Sequence, residues 1–120
     1  MNEDLSFRQD ELPEDASLII VDDDKPFLQR LARAMEGRGF AVRSGESVSE
    51  GVDLIRQQAP AFAVVDMRLE DGNGLDVVEV LRERRPDSRV VVLTGYGAIA
   101  TAVAAVKIGA TDYLSKPADA

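Results

Sequence analysis

Acidic, hydroxyl and amine side chains follow the ends of four segments in this chain that are typical of buried strands. In chain order these side chains are Asp22 and Asp23, Asp66, Thr94 and Lys116. Carboxylate oxygens are the ligands that Mg²⁺ prefers, while a hydroxyl and an ammonium group can donate hydrogen bonds to phosphate oxygens. If the four segment ends meet, the sequence predicts a site for a divalent cation and a phosphoryl group.

Asp66 is the side chain best placed to act as a nucleophile. With a metal bound, a carboxylate can attack a phosphoryl donor and form an aspartyl phosphate. Taken singly, an aspartate after a strand is more often a helix cap or turn residue. Thr94 alone is more often a strand-end hydroxyl, and Lys116 alone a solvated amine. The functional interpretation therefore depends on all of these residues occurring together.

The composition narrows the function classes. The chain has 120 residues, which suits one domain, and its net charge is −8, which argues against a nucleic-acid or anionic-membrane surface. No apolar run is long enough for a transmembrane helix. The chain has no Cys and no His, which excludes thiol chemistry, imidazole catalysis and a phosphohistidine on this chain. We expect a cytoplasmic domain.

Short β-branched runs alternate with helical patterns from Ser17 onward, after an acidic leader at residues 1–16. This alternation predicts βαβ units, and hence an α/β fold with a doubly wound, five-stranded parallel sheet. The predicted strands are 18–21, 40–43, 61–65, 90–93 and 111–115. The predicted helices run from the Asp24 cap to Gly37, from Ser47 to about Gln58, from Leu75 to before Pro86, and from Ala98 to Ile108.

Sheet order decides whether the acids meet. In open α/β sheets the ligand crevice lies at the carboxyl ends of the strands, at the point where the strand order reverses. We adopt the known five-stranded order 2-1-3-4-5, which makes the first and third strands neighbours. Asp22 and Asp23 then face Asp66 across the crevice. Residues 71–74 are predicted to form a turn.

The motifs at the strand ends resemble those of the receiver domain of two-component response regulators over about residues 17–117. They are Ile20-Val21-Asp22-Asp23-Asp24, Val65-Asp66-Met67-Arg68-Leu69, Leu93-Thr94-Gly95, and Asp112-Tyr113-Leu114 before Lys116-Pro117. The stretches at 65–69 and 93–97 further resemble the RegA/PrrA/ActR group of redox-linked global regulators of photosynthesis and respiration.

The resemblance implies that Asp66 accepts a phosphoryl group from the phosphohistidine of a sensor histidine kinase. It implies that Mg²⁺ is bound by Asp23, Asp66 and the Arg68 backbone carbonyl, with Asp22 assisting through water. Thr94 and Lys116 would contact the phosphoryl group.

The same resemblance implies roles for three further residues. Tyr113 would be an aromatic switch that follows the inward movement of Thr94. Arg68 and Tyr96 occupy positions that tune dephosphorylation in this family. Both side chains are bulky enough to obstruct an attacking water, so we expect a long-lived phosphate.

The chain ends at Ala120, whereas a receiver domain normally continues past Lys-Pro into a fifth helix. We expect residues 17–120 to be a receiver domain truncated before that helix, with DNA contacted only through a C-terminal output domain outside this chain. The apolar flank of the first helix and fifth strand should then be exposed, which favours a homodimer that covers it.

Two other function classes remain to be weighed. A Mg²⁺-dependent phosphohydrolase with Asp66 as nucleophile typically has a second acid two residues later, but Arg68 occupies that position. A stand-alone module acting only through protein contacts would not need the complete set of acids, Thr94 and Lys116. The sequence therefore favours a phosphorylatable switch that turns over no external substrate.

Overall fold

Strands alternate with helices along residues 13–94 and 110–115, which are the part of the chain that the structure, a computed structural model, describes. The elements are β1 (Ser17–Val21), α1 (Lys25–Gly37), β2 (Ala41–Gly45), α2 (Val48–Gln57), β3 (Phe62–Asp66), β4 (Arg68–Leu69), β5 (Gly72–Asn73), α3 (Gly74–Arg84), β6 (Arg89–Thr94) and β7 (Asp112–Ser115). The helix predicted at 98–108 lies outside this part. No helix within it is long and apolar enough to cross a membrane.

Five parallel strands form the main sheet in the order β2-β1-β3-β6-β7. Leu18 of β1 pairs with Phe62 of β3, and Asp66 at the end of β3 pairs with Leu93 of β6. The predicted order 2-1-3-4-5 and the α/β fold class are therefore confirmed. The strand order reverses between β1 and β3, which places their carboxyl ends side by side.

The two faces of the sheet support separate apolar cores, because successive strand side chains point to opposite faces. Ile19 and Val21 pack with the apolar residues of α2 and α3. Leu18 and Ile20 pack with residues of α1 and with Phe40. This burial on both faces explains why β1 is apolar at nearly every position.

Short-range hydrogen bonds set the starts of α1 and α2. The Asp24 carboxylate accepts a hydrogen bond from the Phe27 amide at 3.2 Å, as expected for the predicted cap. The Ser47 hydroxyl likewise accepts from the Glu50 amide at 3.0 Å. The Glu50 carboxylate, however, accepts from the Glu46 amide at 2.7 Å, one residue before the partner that a capping box would use.

The turn predicted at residues 71–74 is part of a small antiparallel hairpin. Arg68 pairs with Asn73 and Leu69 with Gly72, so β4 and β5 are two residues each. Gly74 is already the first residue of α3. Strands this short carry no periodic pattern, which is why the sequence indicated only a turn.

The α1 side of the sheet carries an apolar groove of about 340 Å³. Leu114, on the edge strand β7, is 57% exposed. The groove is lined by Leu18, Met35, Phe40, Phe62, Ala63, Val64, Arg89, Val91 and Thr111. Among the described residues, this face of β6 and β7 has no helix packed on it comparable to α1 on β1.

Asp15 links the segment before β1 to the end of α3. Its carboxylate accepts hydrogen bonds from the Ser17 hydroxyl at 2.6 Å and the Ser17 amide at 3.0 Å. It also lies 2.9 Å from the Arg85 guanidinium. These contacts, with the Ser17 hydroxyl contributing most, lower the pKa of Asp15 to about 2.

Asp15→Asn should therefore reduce the free energy of unfolding at neutral pH. The pKa of Asp15 is lower in the folded chain, so its stabilising effect is complete above its ordinary pKa and is lost as pH falls towards 2. Because the side chain is 49% exposed, solvent screening limits the effect to about 1 kcal/mol or less. Urea unfolding at pH 7 and pH 3 should show the difference from wild type narrowing at the lower pH.

Asp87→Asn is the matched control for this prediction. Asp87 is 83% exposed and lies 3.6 Å from the same guanidinium, so its removal should change stability little. Equal effects of the two substitutions, or a difference for Asp15→Asn that does not depend on pH, would contradict the assignment.

Candidate functional site

Three aspartates meet at the carboxyl ends of β1 and β3. One carboxylate oxygen from each of Asp22, Asp23 and Asp66 lies within 4.8 Å of the others. Val21 pairs with Val65, so the residues that follow these two positions emerge together at the same edge of the sheet. The geometry therefore brings together the three acids that the sequence singled out.

Backbone hydrogen bonds orient two of these carboxylates. Asp22 Oδ1 accepts from the Asp24 amide at 2.9 Å, and Asp66 Oδ1 accepts from the Arg68 amide at 3.3 Å. Both are contacts with the residue two positions later, which is the usual local bond of an aspartate in a turn. Asp22 is also held through its own amide, which donates to the Gly45 carbonyl at 3.0 Å.

The donor set of this cluster fits a hard divalent cation. Asp22 is fully buried and Asp66 is 5% exposed, while Asp23 is half-buried. Like charges held this close in a partly desolvated site repel one another, and a bound cation would offset that repulsion. All three donors are carboxylate oxygens, as Mg²⁺ and Ca²⁺ require, and the chain has no Cys or His for a typical zinc site.

Asp66→Asn should stabilise the metal-free fold, because it removes one of three neighbouring negative charges and keeps the side-chain shape. We expect a gain on the order of 1 kcal/mol in the free energy of unfolding in metal-free buffer. The exposed Asp53 of α2 provides a control, since Asp53→Asn removes the same charge away from the cluster. Equal stability changes in the two variants would contradict mutual repulsion.

The main chain packs tightly behind Asp66. The Gly74 amide donates to the Met67 carbonyl at 2.9 Å, so α3 begins directly against the end of β3. A Cβ at position 74 would collide with the Asp66 carbonyl oxygen and lie 3.0 Å from a Val65 methyl group. Sequence reasoning treated Gly74 only as part of a turn and missed this approach.

The remaining predicted site residues are described unevenly. Thr94 is 1% exposed at the end of β6, next to β3, and its hydroxyl lies 3.5 Å from the Leu114 carbonyl. Arg68 is an exposed residue of β4. The Tyr113 backbone pairs with Val92 in the sheet, but its side chain lies outside the description. Tyr96 and Lys116 lie outside the described residues altogether.

Asp71, at the tip of the β4–β5 hairpin, was not singled out from the sequence. Its carboxylate accepts hydrogen bonds from the Val48 amide at 2.8 Å and the Ser49 amide at 3.1 Å, both at the start of α2. These two bonds lower the pKa of Asp71, and the bond from the Val48 amide contributes most. The partners lie more than 20 residues earlier in the chain, so no local pattern could have indicated them.

Comparison with known proteins places this geometry in context. A family profile described as "Response regulator receiver domain" matches residues 18–120. The chain is 72% identical over 120 residues to the photosynthetic apparatus regulatory protein RegA of Cereibacter sphaeroides, covering all of this chain and 64% of that protein. It is 65% identical over 106 residues to the acid tolerance regulatory protein ActR of Rhizobium meliloti, covering 88% of this chain and 55% of that protein.

Solved structures share the fold. One is a response regulator protein from Burkholderia pseudomallei with a phosphorylated aspartic acid, a calcium ion and citrate. It has a TM-score of 0.81 and 43% identity, over 88% of this chain and 62% of that one. A CheY-like receiver domain protein from Methanospirillum hungatei has a TM-score of 0.79 and 28% identity, over 86% of this chain and 82% of that one. This chain thus spans less than two thirds of the length of the two regulatory proteins above.

Proposed function

Because this chain belongs to the family of response regulator receiver domains, we propose that it is a phosphorylatable signalling switch with Asp66 as its phosphoacceptor. The observation that carries the proposal is the convergence of three carboxylates within 4.8 Å, with Asp66 at the end of the central strand β3. One oxygen of the Asp66 carboxylate would attack the phosphorus of the donor. A P–O bond forms to Asp66 as the bond to the leaving group breaks.

Mg²⁺ would be held by Asp23, Asp66 and the backbone carbonyl of Arg68, with Asp22 assisting through water. The ion would neutralise the negative charge that builds up between the carboxylates and the phosphoryl oxygens. The Asp24 and Arg68 amides keep Asp22 and Asp66 in place for this arrangement.

Further residues would bind the phosphoryl group and transmit its presence. The Thr94 hydroxyl and the Lys116 ammonium group would donate hydrogen bonds to the phosphoryl oxygens. Tyr113 follows the movement of Thr94 and changes the surface near β7. Arg68 and Tyr96 would slow hydrolysis by obstructing the approach of water.

The partner that supplies the phosphoryl group would be a sensor histidine kinase, as expected for a receiver domain. Its phosphohistidine is a group that this chain, which has no His, does not itself provide. The named relatives are regulatory proteins longer than this chain, which is consistent with a further domain in the full-length protein. We propose that this domain is a C-terminal output domain that binds DNA. We place the switch in the cytoplasm, in redox-linked control of transcription. It would carry out no turnover of an external substrate.

The test is incubation with Mg²⁺ and acetyl phosphate, followed by intact-mass measurement and mapping of the modified peptide. A gain of one phosphoryl group on Asp66, absent when EDTA replaces Mg²⁺, supports the switch. Binding of Mg²⁺ without any mass gain would refute it. Steady release of phosphate with rapid turnover would instead support a phosphohydrolase.

A homodimer through the apolar groove is a further expectation for the 120-residue chain. The groove is apolar and Leu114 of β7 is exposed, and two copies related by a twofold axis could cover these groups on each other. Light scattering should give the mass of a dimer, and Leu114→Asp should shift it toward the monomer. A monomer at high protein concentration would rule out this arrangement.

A further inference from the structure

The β4–β5 hairpin, residues 68–73, is held at both ends. At its base the Gly74 amide donates to the Met67 carbonyl at 2.9 Å. At its tip the Asp71 carboxylate accepts from the Val48 and Ser49 amides of α2 at 2.8 and 3.1 Å. The hairpin has only two residue pairs of its own, too few to be stable in isolation. Its conformation therefore depends on contacts with the rest of the fold, which are these two attachments and the burial of Leu69 in the core.

At the hairpin tip, the Asp71 carboxylate caps the start of α2. Val48 and Ser49 are the first two residues of α2, where backbone amides have no partner within the helix. The negative charge of a carboxylate is favourable at this end of a helix. The hydrogen bonds from Val48 and Ser49 lower the pKa of Asp71 and so favour its charged form. Ser47 binds the next free amide, that of Glu50, so the two side chains divide the helix end between them.

Arg68 begins this hairpin and carries the backbone carbonyl that the proposed function assigns to the metal. We infer that Asp71 is a positioning residue: by tying the hairpin tip to α2, it fixes the direction of the Arg68 carbonyl and so sets the affinity for Mg²⁺. The inference deepens the proposed function and rests on it. Asp71 is not a member of the acid cluster of Asp22, Asp23 and Asp66, and its two oxygens bind amides of α2.

The experiment compares Asp71→Ala, which leaves no side-chain oxygen to accept from α2, with Ser47→Ala in isothermal titration with Mg²⁺. Both substitutions remove a cap from the start of α2, but only the first releases the hairpin. Asp71→Ala should weaken Mg²⁺ binding about tenfold, the lower end of the effect of losing an outer partner of a metal ligand. Ser47→Ala should leave the Mg²⁺ affinity within about twofold of wild type, although it lowers the stability of α2.

A second readout does not depend on the metal. Amide exchange measured by NMR without Mg²⁺ should become faster at Val48 and Ser49 in Asp71→Ala, and at Glu50 in Ser47→Ala. If both variants weaken Mg²⁺ binding equally, or if neither does while the wild type binds normally, Asp71 has no positioning role. A wild-type chain that fails to bind Mg²⁺ would instead overturn the proposed function itself.

Discussion

Asp66→Asn is expected to give no detectable mass gain with acetyl phosphate and Mg²⁺, under conditions that phosphorylate the wild-type chain. An amide is a far weaker nucleophile than a carboxylate, and it cannot contribute a negative charge to the metal site. The substitution keeps the size of a side chain that is 5% exposed, and it leaves an oxygen to accept from the Arg68 amide. The fold should therefore survive, so the loss would report chemistry rather than unfolding.

Asp53→Asn again serves as the control, because Asp53 is an exposed acid of α2. The chain that carries this substitution should be phosphorylated on Asp66 like wild type. The informative contrary result is full phosphorylation of the Asp66→Asn variant. Peptide mapping would then show whether Asp22 or Asp23, the other two acids of the cluster, accepts the phosphoryl group.

Gly74→Ala is expected to cause the largest loss of stability among the single substitutions considered. The added methyl group would collide with the Asp66 carbonyl oxygen, and backbone cannot move aside as a flexible side chain can. Crowding of a packed interior typically costs 1–3 kcal/mol and occasionally more, so we expect a loss of about 3 kcal/mol. Displacement of Asp66 should also weaken Mg²⁺ binding. Urea unfolding and Mg²⁺ titration measure the two effects.

Gly37→Ala is the matched control for this substitution. Gly37 is the last residue of α1, and a Cβ at this position would meet no atom within 4 Å. Alanine has the higher helix propensity, so Gly37→Ala should leave stability unchanged or raise it by up to about 1 kcal/mol. A Gly74→Ala variant as stable as Gly37→Ala would show that the strand end relaxes freely, contrary to the close approach described above.

Local patterns predicted most of the fold because the features involved are short-range. The strand β1 is recognisable as an apolar run buried on both faces, and Asp24 and Ser47 cap the helices that begin next to them. The apolar runs around β3 and β6 likewise lie within one or two residues of the predicted bounds. The second strand was predicted at 40–43, whereas it spans Ala41–Gly45, so the predicted start is one residue early and the predicted end two residues early. Its half-exposed residues give a weaker pattern.

The candidate site was predictable for a related reason. Parallel strands place their carboxyl ends at one edge, so Asp22, Asp23 and Asp66 could be assigned to one crevice once the strand order was adopted. The order itself came from a known fold and not from the residues. Its confirmation in the sheet, with β1 beside β3, is what brings the carboxylates within 4.8 Å.

Sequence alone thus determined the residue types at the strand ends, the alternation of strands and helices, and the chemistry that three acids can support. Tertiary structure alone decided the close approach of Gly74 to Asp66 and the two hydrogen bonds from the start of α2 to Asp71. The physical reason is the distance along the chain between the residues that interact. Apolar periodicity and helix caps act between residues a few positions apart, whereas these two contacts depend on how separate elements pack. Their strength is set by the shape and hydrogen-bonding groups of the neighbouring element, which no local pattern records.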